Sequence, residues 1–266
     1  MTDQQLEEIK DRFREYTDRF RSENGLLDPL LELKVVHSNK VALEAKELSR
    51  DLRWPGSDQL LAESLGLTHD IGRFSQFADF GTFSDAASID HGKRGKEAAL
   101  DAGLFAGLSN SEQTVLLDGI AHHNARTIPG ELSARSLVFV SMIRDCDKLD
   151  IYRIVLASVK KDGFKDLPAM LPEVKLDKAV SNEIVEEFRK RKSCRLSTVK
   201  TLGDFLLMQL SWIYDFSYKP ALKKVVDRGI LKDLLDNVEF AGPDKNVHTA
   251  ALQFIASALK SQTEKT

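Results

Sequence analysis

The chain has 266 residues, 42% apolar and 30% charged, and its 38 Lys and Arg against 41 Asp and Glu leave a net charge of −3. That composition excludes a disordered chain and a duplex-nucleic-acid binder relying on bulk positive charge, and the length allows one large domain or two small ones. Two cysteines, Cys146 and Cys194, exclude a disulfide framework and fit a reducing compartment.

Glycine (15) and proline (7) are sparse, which favours helices. Leu6, Ile9, Phe13, Tyr16 and Phe20 repeat at steps of three and four, predicting an amphipathic first helix that Asn24-Gly25 ends. The charged residues Glu7, Glu8, Asp11, Arg12, Arg14 and Glu15 leave no apolar leader core there. Asp28-Pro29 reads as a helix start. The stripe that follows is Leu30, Leu33, His37, Val41, Ala45, Leu48 and Leu52, until Trp54-Pro55-Gly56-Ser57 breaks it. Leu61, Leu65 and His69 share one face of a third helix stopping near Gly72. Residues 74–90, with Phe74, Phe77, Phe80 and Phe83, read as an ordered loop. Ser88 or Asp90 starts a helix running to Gly103, and Ser109-x-x-Glu112 is a capping box opening the helix that carries His122 and His123. Residues from about 132 to 155 are apolar on most sides and predict a central helix. Residues 164–176 form a Pro-containing connection, and the clearest later stripe is Leu202, Phe205, Leu206, Leu210, Ile213 and Phe216. The expectation is an all-α chain, with residues 1–163 as a helical core and 164–266 as a helical extension. No apolar run approaches the ~20 residues needed to span a bilayer, so a cytoplasmic protein without a membrane partner is expected.

Three predicted helices point polar groups inward. His69-Asp70 ends an otherwise apolar helix, and His37 interrupts an aliphatic stripe. Asp147 lies on a face with Val140, Ile143, Ile151 and Ile154. Buried His and Asp are costly unless paired or bound to metal, and a neutral imidazole is a good ligand for first-row metals. Five of the six histidines (His37, His69, His91, His122 and His123) and both of those Asp fall between residues 37 and 147.

This ordered pattern resembles the HD-domain metal-dependent phosphohydrolase superfamily over about residues 30–155. The matching residues are His37, His69-Asp70 in LTHDIGRF and Asp147 in RDCDKLD. SIDHGKRG, with His91, and GIAHHN, with His122 and His123, resemble the extra histidines of the binuclear HD branch. That branch includes cyclic-dinucleotide phosphodiesterases, a diadenosine-tetraphosphate hydrolase family and the myo-inositol oxygenases. The Gly-Tyr-Pro signature of the phosphodiesterases is absent, and Leu33 stands where a trinuclear variant has Glu. The whole chain also resembles a bacterial group of HD proteins with HDIGRF, GTF, DCDKLD-like and WIYDF-like segments, a resemblance that supplies no substrate.

The resemblance implies two divalent ions, among Fe, Mn, Ni, Co or Mg. The first would be held by His37, His69, Asp70 and Asp147, and the second by Asp70, His91 and one of His122 and His123. His123 shares a face with Leu116 and Ile120 and is favoured as the ligand. His122, four residues after Asp118, is left as a ligand alternative or a contact to substrate. Periodicity does not separate Asp147 from Asp145, whereas the family pattern favours Asp147. Arg73 stands where the family often contacts phosphate, and Lys93, Arg94 and Lys148 are further substrate-binding candidates.

The implied activity is hydrolysis of a small phosphate mono- or diester, a nucleotide among them, with Asp70 and Arg73 in catalytic roles. A di-iron oxygenase and a non-catalytic ligand-binding domain are the other readings. The basic run Arg189–Arg191, Lys192 and Arg195 is read as a solvated helix end, Cys146 as core and His248 as surface. Trp212, Tyr214 and Phe216 are read as core.

Overall fold

Several helices start where a side chain satisfies their free amides. Asp28 accepts from the Leu30 amide at 2.8 Å while Pro29 takes the first helical position. Thr2 and Ser109 close capping boxes with Gln5 and Glu112, and Asp90, rather than Ser88, accepts from the amides of Gly92 and Lys93. The computed structural model describes residues 1–171, 173–240 and 245–260, with the His248 side chain outside the described ones.

The chain is all-α. Its helices are α1 (Asp3–Asp18), α2 (Pro29–Asp51), α3 (Gly56–Thr68), α4 (Gly72–Phe80), α5 (His91–Asp101), α6 (Asn110–His122), α7 (Ala134–Asp162), α8 (Leu167–Met170), α9 (Asn182–Arg189), α10 (Leu202–Leu210), α11 (Lys219–Asp227), α12 (Ile230–Leu235) and α13 (Lys245–Lys260). None of these is long and apolar enough to cross a membrane. The chain divides into two compact units, Met1–Asp150 and Ile151–Thr266, and the division falls within α7.

In the first unit α3 is central. Every residue from Leu61 to Thr68 is buried, with α1, α2 and α6 packed around it. Gly66 lets α2 approach: a Cβ there would stand 2.6 Å from the Ala42 Cα. Phe13, Tyr16 and Phe20 of the α1 region surround the ring of Phe74 on α4.

Two expectations need correcting here. Residues 72–80 form a helix, not a loop. Gly81, at φ 65°, ends it in the left-handed conformation by donating to the Phe77 carbonyl, so this glycine is a stop signal and not a sign of irregular chain. The stripe on α2 is also rotated. Leu30 and Leu33 are exposed, and Leu31, His37, Ser38, Val41, Ala42, Ala45 and Leu48 face inward.

The second unit has its own core, including Phe188, Leu206, Leu210 and Ile213. The Tyr152 hydroxyl donates to the Gln209 carbonyl at 2.9 Å. The stripe from Leu202 to Phe216 is α10 followed by a 3-10 turn over Ser211–Asp215. Strands β1 (Ala179–Val180) and β2 (Glu239–Phe240) pair in parallel, a two-residue feature too short to leave a pattern in the sequence.

Candidate metal centre

Four histidines and two aspartates from five helical segments converge in the first unit. His37 is carried by α2, and His69-Asp70 occupies the tight junction between α3 and α4. His91 opens α5, His123 caps α6, and Asp147 lies on α7. Asp70 stands at the middle. Its Oδ2 lies 3.5 Å from His37 Nε2 and 3.7 Å from His69 Nε2. Its Oδ1 lies 3.4 Å from His91 Nε2 and 3.5 Å from His123 Nε2. One carboxylate thus presents each oxygen to a separate pair of imidazoles. Asp147 Oδ1 joins the first pair, 3.1 Å from His37 Nε2 and 3.6 Å from His69 Nε2.

The other ring nitrogens are all spoken for. His37 Nδ1 donates to Asp150 Oδ2 at 2.7 Å, and His69 Nδ1 to the Gly66 carbonyl at 2.8 Å. His91 Nδ1 donates to Asp85 Oδ2 at 2.6 Å, and His123 Nδ1 to the Ile120 carbonyl at 2.8 Å. Each acceptor holds a proton on Nδ1 and turns Nε2 toward the centre as the atom available to a ligand. His37 Nε2 and His69 Nε2 are buried and have no hydrogen-bond partner. His91 Nε2 and His123 Nε2 face each other at 3.0 Å, two lone pairs that repel unless a proton or cation lies near them. Buried polar atoms without partners are rare, and these become intelligible as ligands. The residues can hold metal in overlapping groups: His37, His69 and Asp70; His69, His123 and Asp147; and Asp70, His91 and His123.

In the metal-free protein the electrostatics follow from burial and these pairings. Burial opposes protonation of His37, but the nearby carboxylates of Asp147 and Asp150 outweigh it and raise the ring to about 8. Burial pulls His91 down to about 4 despite the Asp85 contact, and it also lowers His69. Burial alone would raise Asp70, yet Lys34 and His69 hold it well below the usual carboxylate range. His37 and His69 do the same for Asp147 against its burial. Charged carboxylates and imidazoles together form a donor set for a first-row divalent ion, which would displace the second proton of His37.

The predicted ligands His37, His69, Asp70, His91, His123 and Asp147 are therefore brought together. His122 falls outside these groups and is half-buried, because the buried face of α6 runs through Leu116, Gly119 and Ile120 to His123. Asp145 is buried too but is in none of the groups. Arg73 lies at the centre's edge, its Nε 3.6 Å from Asp70 Oδ1. Its Nη1 is engaged by the Phe83 carbonyl at 2.6 Å, Gln76 Oε1 at 2.7 Å and Asp85 Oδ1 at 2.9 Å, so that end of the guanidinium ties down the loop. Lys93 is exposed and near only Asp90. Arg94 bonds Ser75 and Asp79, joining α5 to α4. Among the described residues, no hydrogen bond or ion pair joins either side chain to the histidine cluster. Lys148 is largely buried beside Asp147.

Three contributors escaped the sequence reading. Asp150 orients His37, and it was legible as the inward position one helical turn after Asp147. Lys34 donates to Asp70 Oδ2 at 2.7 Å, and its spacing of three residues before His37 was the only signal. Asp85 collects His91, Arg73, Gln76 and Asn124 from a loop that carries no periodicity.

Comparison with protein-family models, curated proteins and solved structures finds no match to this chain.

Proposed function

We propose that the protein is a metal-dependent phosphohydrolase of the HD type, acting on a small phosphate mono- or diester with two divalent ions in its first unit. The observation that carries this reading is Asp70, whose two oxygens face two separate histidine pairs. His37, His69, Asp70 and Asp147 would hold one ion, and Asp70, His91 and His123 the other. Ions bound there would acidify a coordinated water and draw charge from a phosphoryl oxygen.

The chain supplies the rest. Asp150, Asp85 and the carbonyls of Gly66 and Ile120 keep each Nε2 aimed inward as the atom that would ligate. Arg144 donates to the His123 carbonyl at 3.1 Å and holds the end of α6 in place. The guanidinium of Arg73 and the ammonium of Lys34 flank Asp70, positive charge where an attacked phosphoryl group gathers negative charge. Burial of the ligands keeps this electrostatic effect strong.

The test is hydrolysis of p-nitrophenyl phosphate and bis-p-nitrophenyl phosphate by the purified protein, stripped and then reloaded with Mn, Fe, Co, Ni or Mg. Activity that returns with an ion and disappears in Asp70→Ala is expected. Inertness with all five ions, together with oxygen uptake on a polyol by the iron-loaded protein, would replace the proposal with an oxygenase.

A further inference from the structure

Lys34 donates directly to the shared carboxylate, and its placement is unusual for a surface lysine. Its ammonium is 2.7 Å from Asp70 Oδ2, the oxygen that also faces His37 and His69. It lies 5.5 Å from the centroid of the Phe83 ring, and its side chain is 20% exposed. The head is therefore held between the carboxylate and the Phe83 face, while a fifth of the side chain stays open to solvent. An ammonium and a divalent ion that neutralise the same oxygen repel each other. A four-carbon stem lets this head turn away from Oδ2 without moving α2.

Resting on the phosphohydrolase reading, we infer that Lys34 neutralises Asp70 while the centre is empty and becomes a phosphoryl-binding residue once ions are held. A single lysine would then serve two partners in turn, a carboxylate before loading and the substrate's anionic group after it. Arg73 cannot make the same exchange with Nη1, which is fixed to the Phe83 carbonyl and Asp85. Lys34 can make this exchange, and it favours substrates with a terminal, doubly charged phosphate over diesters, since an ammonium gains most from a doubly charged group.

The experiment uses Lys34→Met, which keeps the stem's length and removes the charge, and Lys34→Arg, which keeps the charge. Mn binding to the stripped protein is measured by calorimetry, and inorganic phosphate binding to the Mn-loaded protein is measured separately. Lys34→Met is expected to bind Mn about tenfold more tightly, because a competing cation is gone, and phosphate about tenfold more weakly. Lys34→Arg should stay within about threefold of the parent in both. A purely structural lysine would weaken both affinities together in Lys34→Met. That outcome, or unchanged Mn affinity in a variant whose helical circular dichroism matches the parent, overturns the inference while leaving the phosphohydrolase reading standing. If the parent binds none of Mn, Fe, Co, Ni and Mg, both fall.

Discussion

Gly66→Ala tests how the fold sets the centre. A Cβ at position 66 would meet the Ala42 Cα at 2.6 Å, the Ala42 nitrogen at 2.8 Å and the Val41 carbonyl at 2.8 Å, all backbone atoms that cannot rotate away. Relief to ordinary contact requires α2 and α3 to part by about 1 Å. Val41 is one turn after His37, and Gly66 itself accepts from His69 Nδ1. Both ligands therefore move with the helices. Overpacking of this kind costs about 1–3 kcal/mol, whereas Gly→Ala in an unhindered helix gains about 1 kcal/mol, so the two accounts predict opposite signs. The metal-stripped variant should melt roughly 2–10 °C lower than the parent by differential scanning calorimetry. Its ion affinity should fall about 10–100-fold, because ligand geometry tolerates only about 0.5 Å. A variant that melts at or above the parent and keeps its ion affinity would refute the close-packing argument.

Three further outcomes are expected. Asp85→Ala removes the acceptor at His91 Nδ1; ion titration should become biphasic, with one site weakened about 10–100-fold and the other unchanged, and equal weakening of both would contradict the division of Asp70 between two pairs. In the stripped protein His37 is raised from 6.5 to about 8, so its protonated form stabilises the fold fully below 6.5 and that contribution is lost as pH rises through 8; the melting temperature should fall across this window, His37→Gln should abolish the dependence, and ion affinity in the parent should climb with pH over the same range. Cys146 and Cys194 are both buried, and burial pushes the Cys194 thiol up to about 11, so neither should react with an aromatic disulfide reagent at neutral pH until denaturant is added.

Much of the centre was legible because helical periodicity exposes polar residues on apolar faces. His37 among Val41, Ala45 and Leu48 is one such anomaly. His123 was separated from its neighbour His122 by the same argument, since Leu116 and Ile120 fix which side of α6 is buried. Periodicity failed where the geometry is not helical. Asp85 reaches His91 from a 3-10 turn, and no spacing rule connects a loop to the side chain it will meet. Arg73 and Arg94 illustrate a different limit: their positions beside Asp70 and His91 are local, but whether a guanidinium faces the centre or a neighbouring helix depends on acceptors such as Asp85 and Asp79 supplied by the fold. The start of α2 also misled, because Leu30 and Leu33 continue the apolar stripe in sequence yet stand exposed.

The central claim is that one carboxylate serves two ion sites. Elemental mass spectrometry on reconstituted protein, with protein concentration from amino-acid analysis, tests it most directly. The account predicts two divalent ions per chain in the parent, about one in His91→Ala, and a loss from both sites at once in Asp70→Ala. An Asp70→Ala protein that folds and retains two ions would contradict it.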